Sequence, residues 1–211
     1  MSTYILTSMF PNGFHQISDV FRAKIDKRSK FVFVASEFEN LHEKTDKYFD
    51  FFMNMFKEIG IYFEETCVVD GRMSIVEAQQ KIAEADVIWL SGGDTIAQIG
   101  YLRKYGLVEV INSFDGVIIG MSAGSINMAK TAICTLACGH QKQKIYAGLG
   151  CVEVSVEPHF VRDSVSDELI ELSKKYVLYG LCDDGVIVCS ENEMTFYGDV
   201  YKLCNGMIEK L

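Results

Sequence analysis

Asp115-Gly116-Val117-Ile118-Ile119-Gly120-Met121-Ser122-Ala123-Gly124-Ser125-Ile126-Asn127-Met128 contains a short apolar run that ends in a cluster of small residues. Val117 to Ile119 reads as a buried strand, and Ile126, Met128 and Ala129 offer a packing face for a helix that follows at once. Between them, Gly120-Met121-Ser122-Ala123-Gly124 is a G-x-S-x-G pattern in a strand–turn–helix setting. The reason for its composition is steric. A residue on so sharp a turn takes a strained backbone conformation, and neighbouring side chains would collide with the strand or the helix. Glycine at 120 and 124 and alanine at 123 remove that conflict, and Ser122 is left to project its hydroxyl from the sheet edge.

Upstream of this turn, strands and helices alternate. Tyr4–Thr7 reads as a first strand, and Ser8 to Gly13 as a loop with turn chemistry. A helix near Phe14–Asp26 follows, with Phe14, Ile17, Phe21 and Ile25 on one face. Phe31–Ala35 is a continuous apolar run of the kind buried on both sides of a parallel sheet. A helix over Leu41–Ile59 has Tyr48, Phe49, Phe52, Phe56 and Ile59 as its core stripe and Lys44, Lys47 and Lys57 towards solvent. Tyr62–Val69 is a third strand, and Ser74 with Glu77 forms a capping box opening a helix to Glu84. Val87–Leu90 is a fourth strand running into Ser91-Gly92-Gly93-Asp94-Thr95, followed by a helix from Ala97 to Lys104 that continues towards Asn112. Four such alternations predict an α/β fold of three layers, α/β/α, with a mainly parallel sheet.

Downstream the pattern loosens. Lys130–Gly150 reads as short strand and loop over the sheet edge, and Val152–Val156 alternates as a strand into Glu157-Pro158-His159-Phe160. Ser164 with Asp167 marks the start of a helix to Tyr176. Val177–Cys182 and Val186–Cys189 are strands around Asp183-Asp184-Gly185, and Met194–Tyr197 with Val200–Leu203 suggest a closing antiparallel hairpin through Gly198-Asp199. That hairpin could finish the sheet or pair with another chain, so the oligomeric state stays open. With no repeat or linker, residues 1–211 read as a single domain.

A chain of 211 residues, 49% hydrophobic and 23% charged, can bury its own core. A net charge of −9 without a basic stripe argues against a nucleic-acid partner. No apolar run is long enough to span a bilayer, and no signal peptide precedes the first strand. The seven cysteines are odd in number and scattered without metal-ligand spacing. They read as reduced thiols of a cytoplasmic protein, and neither metal nor cofactor is expected.

Ligands of open α/β sheets bind beyond the carboxyl ends of the strands. Ser122, the Gly92-Gly93 loop and His159 all follow strands, so all three are expected there. A serine hydroxyl needs an adjacent base, and the base needs an acceptor to orient it. His159 is that base, because His15 and His42 fall at solvent-facing helix starts and His140 lies in the loose segment. Of the acids, Glu153 and Glu157 lie on the strand that delivers His159, and Glu157 is poorly placed to reach back to its ring. Asp183 and Asp184 come later, at another strand end, and the order Ser, His, Asp is favoured.

A Gly-Gly-x-Thr loop (Gly92–Thr95), Gly-x-Ser-Ala-Gly (Gly120–Gly124), Pro158-His159-Phe160 and an acidic-Gly segment (Asp184-Gly185), in that order, resemble the peptidase E (aspartyl dipeptidase) family. The resemblance covers about Val87 to Val188 and implies a serine peptidase on a fold similar to flavodoxin and the class I glutamine amidotransferases. It implies Ser122 as nucleophile, His159 as general base, and Asp184 as the acid, with Asp183 the alternative. It places the oxyanion hole at the N–H groups of Ala123 and Gly93, or Gly92 in its stead. Relatives act on Asp-X dipeptides, which demands a cation for the aspartate, and Arg162 is the nearest candidate. The expectation is a hydrolase of small peptides acting through an acyl-enzyme. The alternatives are an esterase-type serine hydrolase with the same site, and a silent binding protein whose Ser122 and His159 lie too far apart to hydrogen-bond.

Overall fold

Apolar residues at successive positions of the inner strands bury both faces of one sheet. A computed structural model describes residues 2–190 and 193–211. Its first half runs β1 (Thr3–Thr7), a 3-10 turn at His15–Ile17, α1 (Ser18–Lys24), β2 (Lys30–Val34), α2 (His42–Glu58), β3 (Glu65–Val69) and α3 (Ile75–Ala83). Then come β4 (Val87–Leu90), α4 (Thr95–Lys104), α5 (Leu107–Asn112), β5 (Val117–Met121) and α6 (Ala123–Met128). The second half supplies β6 (Thr131–Cys134), β7 (Lys144–Ala147), β8 (Ser155–Pro158), α7 (Asp167–Ser173) and β9 (Leu178–Leu181). It closes with β10 (Val186–Ser190), β11 (Glu193–Tyr197), β12 (Val200–Cys204) and β13 (Met207–Lys210).

Seven strands form the central sheet in the order β11-β10-β1-β5-β4-β2-β3. The five from β1 to β3 are parallel, and β10 and β11 join antiparallel at one edge. The period of two sorts side chains to opposite faces. Phe31, Phe33, Val87, Trp89, Val117 and Ile119 pack under α1 and α2, and their neighbours Val32, Val34, Ile88, Leu90 and Ile118 pack under α3 to α6. The first face is rich in rings, with Phe52 of α2 4.7 Å from Trp89 and Phe14 4.7 Å from Phe56. The expected three-layer α/β/α arrangement with a mainly parallel sheet is therefore the fold.

Several elements differ from the reading of the sequence: the helix expected over Phe14–Asp26 is a 3-10 turn followed by the short α1, and the strand expected from Tyr62 begins at Glu65. Helix Ala97–Asn112 is two helices, because Gly106 takes φ +63 between α4 and α5. The cap of α7 is Ser166, whose hydroxyl accepts the Leu169 N–H at 3.2 Å, and not Ser164. The alternation expected from Val152 becomes β8 only at Ser155. The closing hairpin does not form either: β11 zips onto β10 in the central sheet, whereas β12 pairs with β9 and β13 in a second sheet ordered β13-β12-β9-β8. Gly198, at φ +69, carries the chain from one sheet to the other. The distinction matters because β8 and β9 of this second sheet deliver His159 and Asp183. Phe160, Leu169, Leu172, Leu178 and Leu203 form the small core that fixes α7 on it.

Gly124 shows how tightly the elbow is seated. A Cβ there would overlap the Leu90 carbonyl oxygen of the neighbouring strand, which as backbone cannot move aside. Gly124→Ala should destabilise the protein by about 3 kcal/mol, lowering Tm by roughly 5–10 °C. A melting temperature within 2 °C of wild type, on the order of 1 kcal/mol for a chain this size, would contradict this packing.

Candidate active site

Ser122 sits between β5 and α6 with φ +48 and ψ −104, a backbone conformation that is costly outside glycine. Its neighbours hold it there. The Ser122 N–H donates to Thr7 O at 2.9 Å, and the Ile126 N–H donates to Ser122 O at 3.0 Å, starting the helix. Buried Ser125 lies with its Oγ 2.6 Å from Gly120 O and 2.7 Å from Thr7 O, and it accepts the Thr7 N–H at 2.9 Å. A Cβ on Gly120 would come within 2.7 Å of Ser125 N, so glycine is required where the strand meets the helix.

His159 follows β8 with φ +56, and Phe160 then folds back, its N–H donating to Leu181 O at 2.9 Å. The Phe160 ring lies over Gly180, where a Cβ would come 2.5 Å from it. This fixes the imidazole beyond the central sheet's carboxyl edge. His159 Nε2 stands 3.1 Å from Ser122 Oγ, and Nδ1 stands 3.0 Å from Asp183 Oδ1. With its proton on Nδ1, the ring donates to Asp183 and leaves Nε2 to accept the Ser122 hydroxyl. Both side chains of the His159–Asp183 pair are about half exposed, at 54% and 46%.

Asp184, the acid implied by the family pattern, is not the one against His159. Residues 182–185 form a turn closed by the Gly185 N–H to Cys182 O at 2.9 Å, with Asp184 at φ +65. That conformation turns its side chain to the β1–α1 loop. There Asp184 Oδ2 accepts from Asn12 Nδ2 at 3.0 Å, and the Asp184 N–H donates to Met9 O at 2.7 Å. Asp183, the alternative, occupies the position beside Nδ1. Arg162 also departs from expectation: it lies exposed in the turn after Phe160 and does not line the cavity beside Ser122.

The reading of the sequence missed Ser8. It is fully buried directly after β1, at the same sheet edge as Ser122. Its hydroxyl donates to Asp183 Oδ1 at 2.9 Å and accepts the His159 backbone N–H at 2.7 Å, tying the second sheet's residues to the first. A polar residue immediately after a buried strand was the available signal.

A cavity of about 440 Å³ opens at Ser122 and His159. Gly92 and Gly93 line it beside the serine, together with Met121, and α2 forms the facing wall. A Cβ on Gly92 would come 2.9 Å from Met121 Cε and 3.6 Å from Ser122 Cβ, and one on Gly93, at φ +139, would overlap Ser36 Oγ. Gly92 therefore brings bare backbone close to Ser122, and Gly93 packs bare against Ser36. Asp94 caps α4, accepting the N–H groups of Ile96 and Ala97 at 2.9 and 2.8 Å. The wall is anchored by Asp70 at the end of β3, which accepts from Arg72 and pairs with His42 of α2 at 3.1 Å. Burial would push the Asp70 carboxyl up, but the bonds from Arg72 and His42 outweigh it and hold its pKa below the ordinary value. Tyr48, expected in the core stripe, is instead 42% exposed and faces this cavity.

Glu157, two residues before His159, is buried and, among the described residues, accepts only the Thr135 hydroxyl at 2.9 Å. Burial pushes its carboxyl up to about 8, against an ordinary 4.5. The folded state thus keeps a proton that the unfolded chain releases, so stability falls as pH rises from about 4.5 to 8. The loss across that window is on the order of 4 kcal/mol. Urea midpoints at pH 5 and pH 8 should differ in wild type and converge in Glu157→Gln. Equal slopes in the two proteins would contradict the assignment.

The model of peptidase family S51 matches residues 5–197. Among solved structures, a peptidase from an acI-B1 actinobacterium is similar over 100% of this chain and 94% of its own, at 16% identity and TM-score 0.74. A candidate peptidase E from Listeria monocytogenes EGD-e is similar over 93% of this chain and 98% of its own, at 17% identity and TM-score 0.67. At these identities the two structures share the fold. No curated protein matches the chain.

Proposed function

The chain belongs to peptidase family S51, the peptidase E family, and on that footing we propose a cytoplasmic serine peptidase that hydrolyses small peptides through an acyl-enzyme. The observation that carries the mechanism is the continuous contact from Ser122 Oγ to His159 Nε2 at 3.1 Å and from His159 Nδ1 to Asp183 at 3.0 Å. Ser122 Oγ attacks the scissile carbonyl carbon while His159 Nε2 takes its proton. The imidazolium is stabilised by Asp183, and it returns the proton to the departing amine. Water then attacks the acyl-serine with His159 again as base, which releases the acid and restores the hydroxyl.

Charge develops on the carbonyl oxygen in each tetrahedral intermediate. The Ala123 N–H at the start of α6 and the N–H of Gly93, or Gly92, are the donors for it. A cytoplasmic location is supported by the number and scatter of the thiols. Asp-X dipeptides are the substrates the family resemblance implies, and the only cation lining the cavity for them, among the described residues, is Lys44.

The reading is tested by incubating the protein with a panel of dipeptides and, in parallel, with aryl esters. Peptide turnover at neutral pH, lost in the Ser122→Ala variant, is expected. Turnover of esters without any peptide would instead favour the esterase alternative, and peptide turnover surviving in Ser122→Ala would remove the proposed nucleophile.

A further inference from the structure

The cavity beside Ser122 has a wall for which the hydrolytic steps have no use. Helix α2 presents Lys44, Thr45, Tyr48 and Phe52 to it, at the three- and four-residue spacing that aligns side chains on one helix face, and Leu41, its N-cap, joins them. Phe52 and Phe33 are buried and close its inner end. Met9, two residues after β1, and Met121, the last residue of β5 and next to Ser122, also line it. Leu41 and Tyr48 leave 44% and 42% of their surfaces open there. Apolar side chains and flexible methionines gathered around a reacting serine form a concave surface that gains free energy when an apolar group fills it.

The charges at this cavity oppose a carboxylate. Among the described residues, Glu37 and Asp94 line it against the single cation Lys44. Glu37 is held ionised, because burial is outweighed by the N–H groups of Asn40, Glu39 and Leu41 and by the Tyr101 hydroxyl, all within 3.0 Å. Lys44 is exposed on α2 and places its ammonium 5.7 Å from the Tyr48 ring centroid, so it is partly engaged by the ring face. An aspartate side chain entering the cavity would meet two carboxylates and one shared lysine, an arrangement that discriminates against it.

We propose that this cavity is the acyl-side specificity pocket and that it selects peptides with a large apolar residue, Phe, Leu or Met, before the scissile bond in preference to Asp. The assignment rests on the serine-peptidase reading above. Tyr48 is its outer specificity-determining residue and acts by contact with the substrate side chain. Filling the pocket is worth a factor of ten or more for each well-packed group.

The test compares kcat/KM for Phe-Ala, Leu-Ala, Met-Ala, Gly-Ala and Asp-Ala on the full chain, with fluorophosphonate labelling of Ser122 followed by mass spectrometry. Phe-Ala and Leu-Ala should exceed Gly-Ala and Asp-Ala by about a hundredfold or more. In Tyr48→Ala, checked for an unchanged melting profile, the ratio of Phe-Ala to Gly-Ala should fall by roughly tenfold. In Lys44→Met, Phe-Ala should remain ahead of Asp-Ala. Asp-Ala as the best substrate, or Gly-Ala within threefold of Phe-Ala, would overturn the proposal while leaving the serine-peptidase reading intact. A labelled Ser122 with no turnover of the apolar dipeptides would also overturn it. Absence of both labelling and peptide turnover would overturn the two together.

Discussion

Replacing Ser122 with alanine is expected to lower kcat/KM on any hydrolysed dipeptide by about ten-thousandfold or more, at unchanged fold. The size follows from the chemistry. Among the described residues, Ser122 Oγ is the hydroxyl that meets His159 Nε2, and without an attacking oxygen the acyl-enzyme cannot form. The residual rate would come from the N–H groups around the carbonyl and from substrate positioning. Among the described residues, the removed atom hydrogen-bonds to a half-exposed imidazole, so the fold has little to lose. Because nucleophile and base act as a unit, Ser122→Ala combined with His159→Ala should be no slower than Ser122→Ala alone. Steady-state kinetics on the three proteins decides it, and multiplicative losses would mean that the two residues act independently.

Asp183→Asn should cost about a thousandfold in kcat, whereas Asp184→Asn should cost less than threefold. An amide at position 183 can present its N–H to Nδ1, which favours the ring tautomer with the proton on Nε2 and so removes the acceptor for the Ser122 hydroxyl. The partial exposure of Asp183 lets water replace some of its role, which keeps the loss below the largest known for buried acids. Asp184 is held by Asn12 and Met9, away from the ring, and asparagine tolerates its positive φ. The reverse ranking of the two variants would return Asp184 to the role the family pattern implied.

The central sheet was legible because its signals are local. Phe31–Ala35 and Val87–Leu90 are continuous apolar runs, and Ser74 caps α3 as expected, its hydroxyl accepting the Glu77 N–H at 3.2 Å. The elbow was legible because G-x-S-x-G states its own steric requirement. What failed was pairing between distant segments. Met194–Tyr197 and Val200–Leu203 have the alternation and turn of a hairpin, yet each strand gains more by joining a sheet already formed. The two adjacent aspartates could not be separated by type or spacing, since the choice depends on which one the turn leaves with positive φ. Arg162 is close to His159 in sequence, but the turn after Phe160 carries it to solvent. Ser8, directly after β1, and Lys44 and Tyr48 of α2 lie far along the chain from the motifs. Only the packed sheet brings them to the same edge.

The central claim is that Ser122 is an activated nucleophile, and covalent labelling measures that directly. The intact protein treated with a fluorophosphonate should gain the mass of one phosphonyl group, mapped to the peptide containing Ser122. The same treatment of His159→Ala should give little or no adduct. An unlabelled wild-type protein, or an adduct on another residue with Ser122 untouched, would contradict the account.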